Sequence, residues 1–294
     1  MLSILIPTKD YDCHLLVAEL HRQGEELGHP FEILLGEDGT CCEMIHLNSI
    51  ADTLPHSRRI TSVENTGRAR MRNRLAREAQ YPKILFIDCD AVVERKDFLK
   101  QYVAALEGNA VVCGGLYHAA ELKDKRCRLR FRYEKNADKK RDAATRTKHP
   151  YNNFTSFNFA MDRELFLTVL FNEGITRYGY EDTLFGKELE KRNIPVLHTD
   201  NRLLHNGLEE NCIYLSKVEQ SLYTLAEVEH LIGSTPLLDT IKRLERWHMK
   251  RLFMIAWRAT RRMMRKNLIG NTPSIKILNI YKAGFYISLS DGKQ

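Results

Sequence analysis

"LFIDCDAVV", residues 85–93, is an apolar run that stops on two aspartates with one residue between them. Leu85, Phe86 and Ile87 have the composition of a strand buried on both faces, so Asp88 and Asp90 fall where that strand leaves its sheet. A turn would explain the pair, because Asp suits turns and helix caps. A divalent cation would explain it as well, since Mg²⁺ or Mn²⁺ takes few protein oxygens and completes its shell with water and phosphate. The pair alone leaves both readings open.

Around it, strand patterns at Leu2–Ile6, Phe31–Leu35, Arg59–Val63 and Lys83–Ile87 alternate with helix patterns at about 12–28, 43–52, 67–79 and 96–107. This alternation predicts βαβ units and a mostly parallel sheet with right-handed crossovers. Ligands of such sheets gather beyond the carboxyl ends of the strands. The residues to read are therefore Pro7-Thr8-Lys9, Gly36-Glu37-Asp38-Gly39, Glu64-Asn65-Thr66-Gly67 and Asp88-Cys89-Asp90. Each group alone has turn chemistry; together they bring acids and a glycine-led, arginine-rich helix to one edge. Neither GxGxxG nor GxxxxGK[ST] occurs, which removes the dinucleotide fold and the P-loop.

Residues 3–9 "SILIPTK", 32–40 "EILLGEDGT", 65–73 "NTGRARMRN" and 85–90 "LFIDCD" resemble, in order and spacing, the family 2 glycosyltransferases of the GT-A fold. Departures are Glu37 for the commoner first Asp, Lys9 for a polar or aromatic residue, and Asp10-Tyr11 for a commoner Tyr-Asn. The resemblance covers about residues 2–207. It implies an α/β, Rossmann-like GT-A domain that uses a nucleotide-diphosphate sugar, a UDP-sugar first, with Mn²⁺ or Mg²⁺. It implies Thr8 and Asp38 at the nucleotide base, Asp88 at a sugar or ribose, and Asp90 on the metal. Arg68 and Arg72, one helical turn apart, share a face and can reach base or diphosphate.

In "RYGYEDTLFGKEL" the adjacent Glu181 and Asp182 open a helix, where acids favour the helix dipole and Asp182 would serve as a cap. The resemblance implies an acceptor site there, with Asp182 as the base and Glu181 binding acceptor hydroxyls. In "VLHTDNRLLHNG", His198 and His205 read first as packed or surface residues; the resemblance implies that one of them, His205 the better placed, joins Asp90 on the metal. Ser156 and Asn158 alternate with Phe157 and Phe159 on a strand that resembles the family's acceptor side.

The 294 residues suffice for one large core plus an appendage. We expect 1–210 to form the transferase domain, 1–115 its nucleotide-sugar half and 116–210 its acceptor half, and 211–294 a helical basic extension, helical from about 213 to 268 with a break near Gly233–Pro236. Charge is uneven: residues 242–266 carry ten Lys/Arg against Glu245, and 122–149 twelve against four acids, so both zones suggest anionic partners. The stretch 116–150 reads as a long surface excursion. In 241–266, Ile241, Leu244, Leu252, Ile255, Ala259 and Met263 form a stripe opposite basic residues. That pattern suits packing on the domain or an anionic membrane surface, and nucleic acid much less well.

Seven cysteines without paired spacing predict reduced thiols in the cytoplasm, and "MLSILIPT" does not read as a signal peptide. The expected acceptor is a glycan or lipid-linked oligosaccharide at the inner face of the cell membrane. The competing reading is a non-catalytic nucleotide- or glycan-binding protein of the same fold. It would tolerate loss of Asp90 or Asp182, and both are present.

Overall fold

The computed structural model describes residues 1–291, so the last three residues of the expected extension lie outside the described residues. The chain begins with β1 (Leu2–Thr8), α1 (His14–Glu26), β2 (Phe31–Asp38), α2 (Cys42–Leu47), β3 (Ser57–Ser62), α3 (Arg68–Glu78) and β4 (Lys83–Ile87). It continues through β5 (Ala91–Val92), α4 (Phe98–Ala105), β6 (Val111–Cys113), β7 (Leu116–Tyr117), α5 (Arg128–Asp138), α6 (Ala143–Thr147) and β8 (Asn158–Asp162). There follow α7 (Arg163–Val169), α8 (Glu181–Lys191), β9 (Val196–His198) and β10 (Leu203–His205). Four helices complete the described residues: α9 (Asn211–Ile232), α10 (Pro236–Arg246), α11 (Lys250–Ile269) and α12 (Ile275–Asp291).

Seven strands form one sheet in the order β3-β2-β1-β4-β8-β6-β9, and β5-β10-β7 form a second. The β1–β4 strands run parallel, as their βαβ alternation predicts, while β8 pairs antiparallel with both β4 and β6. β1 is apolar on both faces because both are covered. Leu2, Ile4 and Ile6 pack in one cluster with Leu16 and Val17 of α1 and Phe98 of α4. Leu5 faces the other way, into a cluster with Met71 and Leu75 of α3, Phe166 of α7 and Phe185 of α8. A helix-sheet-helix sandwich results. After β2 the chain turns at Gly39, whose φ is +67° and whose missing Cβ would lie 2.6 Å from the Asn65 nitrogen, so glycine is required by conformation and by space.

Two compact units interleave along the sequence. One comprises residues 1–119, 138–174 and 181–207; the other comprises 120–137, 175–180 and 208 onward. Residues 120–137 and 175–180, expected in the 116–210 half, thus cluster with the C-terminal helices. The reason is packing: Leu129 of α5 is buried with Tyr214, Leu215, Leu268 and Leu278, and its N–H donates to Asn211 Oδ1 at 2.7 Å. Much of the first basic zone is also used internally. Arg130 pairs with Glu209 at 2.5 Å, and Arg128 and Arg132 donate to the carbonyls of Asn271 and Pro273 at 2.6 and 2.7 Å. Helical structure extends beyond 268, through α12, whose Leu278 and Tyr281 help close that core.

Candidate functional site

The carboxyl ends of β1, β2 and β4 lie side by side, because these strands are neighbours in register. Thr8 closes β1, buried, with its hydroxyl oxygen accepting from Cys13 Sγ at 3.4 Å. Asp38 closes β2. Its Oδ1 accepts from the Thr66 N–H at 2.6 Å and the Thr66 hydroxyl at 2.7 Å, and its Oδ2 from the Gly67 N–H at 2.8 Å. Three of a carboxylate's roughly four acceptor positions are therefore occupied by the loop that opens α3. Glu37 beside it is fully buried, and burial pushes its carboxyl upward against the bond from Asn48 and the charge of Arg59.

Arg72 projects from α3 onto the tip of β4. Its Nη2 donates to Asp88 Oδ1 at 2.6 Å, with the Arg72 side chain 3% exposed and that of Asp88 27% exposed. The guanidinium lies 5.4 Å from the centre of the Phe171 ring, and neither Nε nor Nη1 has a hydrogen-bond partner. Burial works against the Arg72 cation, but the charges of Asp88, Asp182 and Glu181 outweigh it and hold its pKa above the ordinary arginine value. Arg72 is thus the common counter-ion of three carboxylates.

Asp182 and Glu181 form the first turn of α8. The Ser156 N–H donates to Asp182 Oδ2 at 3.1 Å, while Asp182 Oδ1 and Glu181 Oε2 are buried without a hydrogen-bond partner. Burial, then the neighbouring Glu181 charge, pushes the Asp182 carboxyl above its ordinary value of 3.8; Arg72 and Ser156 pull the other way. Arg68, exposed, reaches to 3.6 Å from Glu181 Oε1. Buried acceptors without donors are rare in folded proteins and are sites where a ligand donor would be accommodated.

Asp90 meets His205 through strand pairing. His205 on β10 is registered opposite Ala91 on β5, and the Asn206 N–H donates to the Asp90 carbonyl at 2.9 Å. His205 Nε2 then lies 3.1 Å from Asp90 Oδ2. The His205 ring is packed edge-on against His118 and Phe157, with ring centres 5.0 and 5.2 Å away. His118 is itself fixed by Asp138, which accepts from its backbone N–H at 3.1 Å and contacts its Nδ1 at 2.9 Å. A Cβ on Gly207 would fall 2.0 Å from Asp90 Oδ2, so glycine leaves the carboxylate its room. Burial and the Asp90 charge push the Tyr11 phenol up to about 12.

Among the described residues no three His, Cys, Asp or Glu side chains could hold a metal ion by themselves. The Asp90–His205 pair nonetheless fits a cation that draws its other ligands from water and phosphate. Its carboxylate oxygen and imidazole nitrogen face each other across 3.1 Å.

The arrangement brings Arg68, Arg72, Asp88, Glu181 and Asp182 together, and separately Asp90 with His205. His198 is apart from both. Its Nδ1 accepts from Arg146 Nη1 at 2.8 Å and its Nε2 contacts the Pro150 carbonyl at 2.9 Å. Asn158, read as an acceptor-side residue, is instead consumed by the fold: Tyr102 donates to its Oδ1, and its Nδ2 donates to the carbonyls of Gly115 and Asn201. Ser156 contributes its backbone N–H. The sequence reading missed His118, which lies in a stretch read as a surface excursion, and Phe171, which packs under Arg72. Only an unusual buried use of polar types could have marked His118 in advance.

A sequence profile described as glycosyl transferase family 2 matches residues 3–170. No curated protein sequence matches the chain. Among solved structures it is similar to the mannosyltransferase PcManGT from Pyrobaculum calidifontis, in complex with GDP-Man and Mn²⁺, at 14% identity over 99% of this chain and 86% of that one, TM-score 0.58. It is similar to glucosyl-3-phosphoglycerate synthase from Mycobacterium tuberculosis, in complex with Mn²⁺, UDP-Glc and phosphoglyceric acid, at 13% identity over 77% and 79% of the two chains, TM-score 0.50. It also matches S. aureus TarS at 14% identity over 74% of this chain, TM-score 0.50. The chain spans 38% of TarS and 63% of its 1–349 fragment. The fold is GT-A: a mostly parallel seven-stranded sheet flanked by helices, with helices after it.

Proposed function

The chain belongs to glycosyl transferase family 2, and from that premise we propose that it moves a sugar from a nucleotide-diphosphate donor to an acceptor hydroxyl with inversion, Asp182 serving as the base. The observation that carries this reading is the Asp182 carboxyl itself. It is held at a helix start by the Ser156 N–H, keeps one buried oxygen without a donor, and is raised in pKa by burial. A base must bind the acceptor proton in the transition state, and a carboxylate lifted toward the working pH does so better than an ordinary one.

In this reaction the acceptor oxygen bonds to the anomeric carbon as the bond from that carbon to the diphosphate breaks. The acceptor proton passes to Asp182 Oδ1, and the nucleoside diphosphate leaves with its electron pair. Arg72 partly offsets the upward push on the Asp182 carboxyl, and Arg68 and Arg72 offer positive charge to base or diphosphate. Thr8 and Asp38 would bound the nucleotide base, Asp38 also holding the α3 loop that carries these arginines. Glu181, with its buried free acceptor Oε2, would receive an acceptor hydroxyl. Asp90 and His205 would hold Mn²⁺ or Mg²⁺, which when bound neutralises developing charge on the leaving diphosphate.

The similar folds described with Mn²⁺ and GDP-Man or UDP-Glc support a nucleotide-sugar donor and a divalent cation. UDP is favoured here by the motif resemblance. The sugar is of hexosyl or N-acetylhexosaminyl type, and the acceptor a glycan or lipid-linked oligosaccharide at the inner face of the cell membrane, as in polysaccharide biosynthesis.

The test is Asp182→Asn with a panel of UDP-, GDP- and dTDP-sugars and Mn²⁺. Transfer should fall by about 10²–10⁴-fold, the range for losing a general base, while donor binding by calorimetry stays within about twofold. The parent's acid limb in kcat/KM should lie above 3.8, the ordinary value of this carboxyl. Parent-like turnover in Asp182→Asn would remove the base assignment. Donor binding without transfer to any acceptor in the parent would favour the non-catalytic reading.

A further inference from the structure

The helix α11 is apolar on two opposite faces, and folding needs only one of them. Met254, Trp257 and Leu268 are buried, Trp257 against α12 with its ring 6.2 Å from that of Tyr281 and no room for a Cβ on Gly284. On the other side Leu252, Ile255 and Met263 are 64%, 66% and 73% exposed. With exposed Ala259 they fall at i, i+3, i+7 and i+11, a continuous stripe down the helix. Arg251, Arg258 and Arg262, all exposed and also spaced i, i+7 and i+11, run along one flank of that stripe. Trp247 and Met249, exposed, stand at the N-terminal end of α11.

We infer that this outer face of α11 is a docking surface for an anionic lipid bilayer, lying in the interface plane with Leu252, Ile255 and Met263 in the acyl boundary and the arginines among the headgroups. An apolar stripe that long, left in water on a helix already packed on its far side, marks an interaction site. Charge selects the occupant. Residues 242–266 hold ten Lys/Arg and only Glu245, so a second copy would set two strongly positive faces together, whereas a negatively charged lipid surface complements them. Nucleic acid would want base-stacking aromatics along the stripe, and its members are Leu, Ile, Ala and Met. The earlier basic zone does not compete for this role, because Arg128, Arg130 and Arg132 are engaged within their own unit. No described helix is long and apolar enough to cross a membrane, so attachment here lies on the surface rather than through it. None of this depends on the glycosyl-transfer reading.

The experiment is sedimentation of the full chain with vesicles of phosphatidylcholine alone or mixed equally with phosphatidylglycerol, without donor or acceptor. Partition should be at least tenfold stronger on the anionic vesicles. Leu252→Glu/Ile255→Glu/Met263→Glu should lower it at least tenfold, with an unchanged circular-dichroism melt. Arg251→Gln/Arg258→Gln/Arg262→Gln should bring it toward the phosphatidylcholine level. Equal partition on both vesicles, or binding by the triple Glu variant as tight as the parent's, overturns the inference. So does a dimer in sedimentation velocity that the triple Glu variant dissolves, or tighter capture by single-stranded RNA than by anionic vesicles. Failure here leaves the Asp182 assay untouched, and the reverse holds equally.

Discussion

Replacing Arg72 with methionine tests whether this arginine holds the site's carboxylates together. The change keeps an unbranched, polarizable side chain over Phe171 and removes the cation. The lost bond is the 2.6 Å contact from Nη2 to Asp88 Oδ1. Removing one partner of a buried ion pair costs about 3–5 kcal/mol, because the other charge stays behind without compensation. Asp88 is 27% exposed and can recover part of its hydration, which lowers the figure to about 2–3 kcal/mol. Loss of the cation–π contact is roughly offset by a sulfur–aromatic one. For a unit of this size each kcal/mol shifts Tm by about 2–4 °C, so the melt should fall by roughly 4–12 °C.

A second readout is independent of stability. Arg72 draws the Asp182 carboxyl downward against burial and Glu181. Without it Asp182 holds its proton to higher pH, and the acid limb of kcat/KM must move up. The third readout is a double-mutant cycle. Asp88→Asn should be harmful in the parent, where it leaves Arg72 less compensated, and much milder in Arg72→Met, where no cation remains to strand. A Tm within about 1 °C of the parent, or an Asp88→Asn effect equal in both backgrounds, would refute the reasoning.

Two further outcomes follow from the same geometry. In Gly207→Ala the new methyl meets Asp90 Oδ2 and turns the carboxylate away from His205; Mn²⁺-dependent donor affinity should weaken at least tenfold with little change in Tm, and equal affinity across a Mn²⁺ titration would contradict the Asp90 assignment. His198 is kept neutral first by burial and also by the adjacent Arg146 cation, so its pKa lies below the ordinary 6.5. The folded state then binds fewer protons than the unfolded one, so stability is full above 6.5 and is lost as pH falls through the folded value; His198→Gln should flatten that part of a Tm–pH series, and an unchanged slope would show that another group causes it.

Much of the first half of this protein is legible in its sequence. The runs "LSILI", "FEILL" and "KILFI" are apolar at nearly every position because both faces of a parallel sheet are covered, and that signal is local. The turn chemistry after each run places Thr8, Asp38 and Asp88 at one edge by local pattern alone. The same locality explains the errors. Asn158 reads as an acceptor-side residue by resemblance of its strand, and strand alternation gives only its face, not that Tyr102 waits there to use its amide. The basic stretch near 128–132 reads as solvated because its acid and carbonyl partners, Glu209, Asn271 and Pro273, are far along the chain.

Local pattern was therefore enough for the parallel β1–β4 core, the acids at its edge and the family. Which acids meet which partners was settled only by the packing of distant segments. His205 reaches Asp90 because β10 pairs with β5 in one register, and a slip of one residue would turn that imidazole to the opposite face. Asp182 meets the Ser156 N–H, just ahead of β8, because β8 enters the sheet antiparallel beside β4. Hydrophobic periodicity is a short-range property of the chain. Register between strands more than a hundred residues apart belongs to the whole packed core.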